Sequence, residues 1–104
     1  MTVLRFHRSR GRLTGFTCQG HSGYAEAGAD IVCAAVTSAL RLTECLINDV
    51  YHADAAVCVD DRTPEITLTL RSPHRASERV LEGFLLYMRE LSNENPNHLT
   101  VLEV

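Results

Sequence analysis

The spacing of apolar side chains changes along this sequence, from every second residue to every third or fourth and back. Residues 3–8 and 65–70 alternate apolar and polar side chains, as strands with one buried face do. Turn-forming residues follow the first segment and precede the second, which predicts that each strand pairs as a hairpin, with 13–19 and 55–59 respectively. Together, the two-residue spacing of strands and the three-to-four-residue spacing of helices predict pairs of strands separated by helices.

Two longer segments carry apolar residues at helical spacing. The first predicted helix covers 31–49, with Asp30 as the N-cap that accepts from N–H groups two and three residues later. The second is predicted to begin at 72–73, in the order serine then proline, and to stop at 93–97. A last strand over 99–104 completes the order β-β-α-β-β-α-β. This order predicts the α+β class: a single-domain two-layer sandwich with a largely antiparallel sheet and both helices on one face.

Length, composition and charge narrow the classes of protein to which this chain can belong. A length of 104 residues fits one domain whose core needs no disulfide or structural metal. We find neither the long apolar run of a membrane span nor a secretory signal, and we therefore expect a cytoplasmic protein that does not bind membranes. Ten basic against thirteen acidic residues give a net charge of −3. Direct binding of nucleic acid is not expected at this charge.

Cys33 and His21 are the side chains with the most suggestive chemistry. Cys33 falls at about the third residue of the predicted first helix, where the helix dipole favours a thiolate and unpaired N–H groups favour an oxyanion. His21 begins a glycine-bearing segment, 20–29, that is predicted to be a flexible loop. Folded back, this loop would bring the imidazole to the thiol as a general base. The same residues also fit a core cysteine and a loop histidine without a partner.

Two other functions compete on the residues alone. Cys18 and His21 have the spacing of zinc ligands, but a second close pair is missing. Cys33 and Cys45 would lie roughly 18 Å apart on one helix, so we expect no metal and no cofactor. Arginines cluster on the first hairpin and near the second helix, where they contact either phosphates or neighbouring carboxylates. A non-catalytic dimeric ribosome- or RNA-associated binding module is therefore the alternative function.

The segment GHSGYAEAGADIVCAAV, residues 20–36, resembles the signature of the ribosomal-processing cysteine protease family Prp. The shared features are a Gly-His pair, a glycine-bearing loop, and Asp-Ile-Val-Cys opening a helix. The resemblance implies one Prp-like cysteine protease domain over 1–104, with a Cys-His dyad at Cys33 and His21. It gives supporting roles to Asp30 and to Thr37, which stands where the family commonly has serine.

The resemblance also implies a function and partners. Members of the family are cysteine endopeptidases that remove the N-terminal extension of a large-subunit ribosomal protein, number twenty-seven, during ribosome maturation. The resemblance also implies a homodimer with a mobile loop over the site. Residues 22–29 match that loop here. Tyr24, the large residue of this loop, either contacts substrate or packs the loop down. The substrate-loop residues implied in this way are Ser22, Gly23, Tyr24 and Gly28.

Overall fold

The computed structural model describes residues 1–20, 27–60, 62–63 and 65–104, the side chains of 27–30 excepted. Two helices and five strands follow one another in the predicted order β-β-α-β-β-α-β. The first helix passes directly into one π-helical turn, Leu46–Val50. The helices are α1, Ala27–Cys45, and α2, Arg75–Glu94; the strands are β1, Thr2–Ser9, β2, Arg12–Gln19, β3, Ala55–Asp60, β4, Glu65–Leu70, and β5, Leu99–Glu103.

The five strands form one sheet in the order β3-β4-β2-β1-β5. Both predicted hairpins are present, because β1 pairs antiparallel with β2 and β3 pairs antiparallel with β4. Strands β2 and β4 are also antiparallel, and they join the two hairpins into one sheet. Only β5 runs parallel to its neighbour β1, since α2 carries the chain from β4 across to the far edge. The predicted α+β class with a largely antiparallel sheet is confirmed.

The core lies between one face of the sheet and the two helices. Alternate residues of the central strands point into it, among them Phe6 of β1 and Phe16 of β2. Their rings pack against Phe84 of α2, with centroids 5.6 Å and 4.9 Å from it respectively. Helix α1 adds apolar side chains to the same cluster, which confirms the two-layer arrangement; they are Val32, Val36 and Leu40.

Both predicted helix starts are wrong. Helix α1 begins at Ala27, four residues before the predicted start. Asp30 is therefore the fourth helical residue and not the N-cap. Helix α2 begins at Arg75, since the imidazole of His74 takes the capping role predicted for the serine at 72. Its Nδ1 accepts from the N–H of Ser77 at 3.3 Å.

The prediction that no segment is long and apolar enough to cross a membrane is wrong for the first helix. Within the 20 residues Ile31–Val50, an 18-residue window reaches a mean hydropathy of 1.4, which by length and composition suffices. Core helices of folded domains meet the same criterion. Here Val32 and Val36 belong to the core cluster, while Ile31 and Leu42 on other sides of the helix are exposed.

The arginine clusters are partly neutralised by carboxylates. Arg12 at the first hairpin donates from Nε and Nη2 to the two carboxylate oxygens of Glu78, at 2.5 Å and 2.7 Å. These bonds hold the pKa of Glu78 below its usual range. Arg8 donates to Glu103 at 2.7 Å. The hairpin is thus tied to α2 and to β5 by ion pairs.

Candidate active site

Cys33 lies in the second turn of α1 with a half-exposed side chain. It lines an open depression of about 510 Å³ on the surface of the helix. Thr37 and Arg41 follow at intervals of four residues, so the three side chains share one face of α1. The depression is therefore a surface of this helix, with the thiol towards its N-terminal end. Its lining residues are Cys33, Ala34, Thr37, Ser38 and Arg41.

The earlier start of α1 changes the electrostatics predicted for Cys33. The N–H groups without an intrahelical acceptor belong to the first four residues of a helix, here 27–30. Cys33 is the seventh helical residue, so its own N–H lies within the ladder of helical hydrogen bonds. The N–H of Cys33 itself is therefore not free to hold an oxyanion, and the role of other N–H groups near Cys33 stays a prediction. The helix dipole also acts less strongly on the thiol, because its effect falls off within the first turn.

Several residues implied by the family signature fall outside the described residues. They are His21, Ser22, Gly23 and Tyr24, together with the side chain of Asp30. The backbone of Gly28 belongs to α1 and not to a loop, and its role towards the substrate stays a prediction. Thr37, in contrast, is placed beside the thiol, one helical turn after Cys33.

Gly20 is the last described residue before His21. Its φ of +101° lies in the region that residues with a Cβ rarely adopt. A Cβ at this position would also collide with the carbonyl oxygen of Met1. The glycine of the Gly-His pair thus has a physical role, because it allows the chain to leave β2 close beside the start of β1.

A second thiol lies within electrostatic reach of Cys33. Cys18 is fully buried near the end of β2, on the face of the sheet that carries the helices. Burial, as the larger cause, and the charge of Cys33, as the smaller one, together raise the pKa of Cys18 to about 12. A raised thiol pKa favours the neutral form, so Cys18 stays protonated at neutral pH. Of these two thiols, Cys33 is the one suited to act as a nucleophile.

Ser38 and Arg41 are the polar lining residues that the sequence interpretation missed. Helical spacing from Cys33 was the available signal for Arg41, since positions four and eight residues later share a helix face. A larger depression, about 560 Å³, lies between α1 and α2 and is bounded mainly by apolar side chains. Among the described residues, its lining includes neither Cys33 nor an ionisable group other than Tyr87, so the candidate nucleophile lies in the smaller depression.

The sequence of the whole chain decides the family. A family model described as cysteine protease Prp matches residues 1–100. The chain belongs to the cysteine protease Prp family. The resemblance of residues 20–36 to the Prp signature is thereby confirmed. A comparison with curated proteins gives no significant match.

Solved structures show the same Prp fold at low sequence identity. SMU.848 from Streptococcus mutans superposes with a TM-score of 0.88 at 24% identity, covering 100% of this chain and 94% of the other. The essential ribosomal processing protease Prp from S. aureus, in complex with a substrate peptide, gives 0.91 at 17% identity, with both chains covered fully. The S. aureus protease with a covalently linked product peptide gives 0.86 at 18%, again with full coverage of both chains.

Proposed function

We propose that this protein is a cytoplasmic cysteine endopeptidase that removes the N-terminal extension of large-subunit ribosomal protein number twenty-seven. The observation that carries the proposal is the match to the cysteine protease Prp family, with Cys33 half exposed in an open depression. The S. aureus Prp complexes with a substrate peptide and with a covalently linked product peptide support a peptide substrate. A covalent link to a peptide is also what a nucleophilic thiol forms.

In the proposed mechanism, Cys33 is the nucleophile and His21 the general base and acid. The sulfur attacks the scissile carbonyl while His21 takes the thiol proton and passes it to the leaving amine. The extension is then held on Cys33 as a thioester. Water attacks this thioester, gives a proton through His21 to the sulfur, and releases the extension with a carboxylate. Thr37 and Asp30 support the site from α1.

The test is cleavage of the extended ribosomal protein from the same organism, followed by intact-mass spectrometry. We expect the wild type to release one N-terminal fragment, and His21→Ala to slow the release by about 10²–10⁴-fold, the usual contribution of a general base. His98→Ala, at a half-exposed histidine in the turn before β5, is the control and keeps the wild-type rate. An inactive wild type would reject the peptidase and favour the binding module. Unchanged cleavage by His21→Ala would reject the dyad.

We also propose that the protein is a homodimer. The resemblance to the family supports this assembly, and large apolar side chains are exposed beside the depression between α1 and α2, among them Leu42 and Tyr87. Light scattering at micromolar concentration is expected to give twice the chain mass of 11.5 kDa. Leu42→Glu is expected to give the mass of one chain, because it adds a charge to this apolar surface. A wild-type mass of one chain would contradict the dimer.

A further inference from the structure

Strand β3 is an edge of the sheet in the described part of the chain, because only β4 pairs with it. Bulges, prolines and lysines are the usual devices that keep an edge strand from pairing with another chain. The register of β3 with β4 runs without a bulge from Ala55 to Asp60, and the strand contains neither proline nor lysine. Val57 and Val59 are 39% and 59% exposed. The strand therefore presents an apolar edge to which an extended chain can add.

The backbone of Ala55 shows which residues of β3 direct their hydrogen-bonding groups outwards. Asn48 donates from its side-chain amide to the carbonyl oxygen of Ala55 at 3.1 Å, and its own carbonyl oxygen accepts from the Ala55 N–H at 2.9 Å. Both groups of Ala55 thus point away from β4. This direction recurs at every second residue of an antiparallel strand, so Val57 and Val59 also direct their N–H and C=O groups to the free edge. No residue in the described part of the chain bonds these groups of the two valines.

The side of α1 that carries Cys33 is turned away from α2 and towards this edge. Helix α2 packs on β2 and β5, and the side of α1 towards α2 is lined by residues such as Ala35 and Leu42. Cys33 is not among them. Asn48 follows Cys33 by about four helical turns, so the two residues lie on nearly the same side. Since Asn48 bonds β3 from that side, the thiol belongs to the flank of α1 above the free edge.

Cys33 lies level with the Val59 end of the edge. Cys18 is within electrostatic reach of Cys33. In the sheet, Cys18 pairs with Ile66 of β4, and Ile66 pairs with Val59 of β3. Neighbouring strands are about 4.8 Å apart, so Val59 lies roughly 10 Å from Cys18 along this row. A chain added to the edge thus leads to the end of α1 that carries the thiol.

We propose that the substrate peptide binds as an additional strand on the free edge of β3, through the N–H and C=O groups of Val57 and Val59. The inference rests on the proposed peptidase function and adds a substrate class to it, an extended segment with apolar side chains at two alternate positions. Peptide residues opposite the two valines point to the same side of the sheet, so their side chains pack on the exposed valines. The continuity of this edge with the thiol favours a peptide over a second copy of the chain.

The first test is amide hydrogen exchange followed by NMR, with isotope-labelled Cys33→Ala and a peptide that spans the cleaved junction of the ribosomal protein. In the free protein, the amides of Val57 and Val59 are expected to exchange faster than that of Cys58, which is directed to β4. The peptide is expected to slow exchange of both valine amides by about tenfold or more. Exchange at Cys58, the control within the same strand, is expected to stay unchanged.

The second test is fluorescence anisotropy of the labelled peptide, with one backbone nitrogen methylated at a time. Methylation removes a donor, so affinity for Cys33→Ala is expected to fall about tenfold at alternate positions. In the same background, Val59→Asp is expected to weaken binding of the unmodified peptide about as much, because a charge replaces an apolar contact. Val50→Asp, at a valine that is 56% exposed and lies outside β3, is the control and keeps the affinity of Cys33→Ala.

The outcomes separate this inference from the proposed function. Binding with the alternating pattern, but without cleavage by the wild type, rejects the peptidase and leaves the edge as a peptide site. Cleavage by the wild type without slower exchange at Val57 and Val59, or without the alternation, overturns the inference. A peptide that does not bind overturns it as well. Loss of a dimer on Val59→Asp, measured by light scattering, assigns the edge to a second copy of the chain and also overturns it.

Discussion

Cys33→Ala is expected to lower kcat/KM for cleavage of the extended ribosomal protein by about 10⁴-fold or more. The sulfur forms the thioester in the proposed mechanism, and without it no covalent intermediate forms. The neighbouring thiol of Cys18 does not replace it, because burial raises the Cys18 pKa to about 12 and keeps the sulfur protonated. Rates are measured by intact-mass spectrometry under single-turnover conditions, with the wild type alongside.

The matched control for this substitution is Cys45→Ala. Cys45 is exposed at the end of the same helix and lies outside the depression, so the same atom is removed away from the site. We expect wild-type cleavage by Cys45→Ala, and the same thermal midpoint for both variants within about 2 °C, since neither sulfur is fully buried. Cleavage by Cys33→Ala within tenfold of the wild type would remove Cys33 from the mechanism.

Leu85→Ala is expected to lower the free energy of unfolding by about 2–5 kcal/mol. Leu85 lies on the buried side of α2 and is 1% exposed, so truncation removes apolar contacts and leaves a cavity beneath the helix. A domain of this size has a total stability of about 5–15 kcal/mol, and the substitution removes a large share of it. Urea denaturation followed by circular dichroism measures the change.

The next residue along the helix supplies the comparison. Leu86 is 57% exposed, so Leu86→Ala removes the same atoms from a position that already contacts solvent. We expect a loss below about 1 kcal/mol for this variant. Equal losses at the two positions would contradict the orientation of α2 on the sheet. A larger loss at Leu86 at concentrations where a dimer forms would place that side chain in an interface.

The element order was predictable because apolar periodicity reflects which side of each element is buried. The alternation over 65–70 matches β4 residue for residue, and the turn before it correctly predicted the pairing with β3. Helix starts were less predictable, because several nearby groups compete to satisfy the first N–H groups. For α2 the competitor was the imidazole of His74, two residues after the predicted serine. For α1 the extension to Ala27 moved both Asp30 and Gly28 into the helix.

The residues of the candidate site also differ in whether the sequence predicted them or only the structure showed them. Cys33 and Thr37 were accessible from the family signature, which is a local run of residues, and the structure places both at one depression. His21 was also taken from the signature, and its role stays a prediction for the substitution experiment. That Arg41 lines the same depression as the thiol, two helical turns away, became evident only from the surface of the folded helix. No motif indicates it, and helical spacing from Cys33 was the available signal.

By itself, the sequence determined the order of elements and the two hairpins, since each depends on neighbours within a few residues along the chain. It also determined the family, through a match over residues 1–100. Tertiary structure alone decided that β5 joins β1 in parallel across about a hundred residues of chain, and that Cys18 is buried within electrostatic reach of Cys33. It also decided which side of α1 faces solvent, and so which residues share a surface with the thiol. These features arise from contacts between distant segments, and such contacts form only when the helices pack on the sheet.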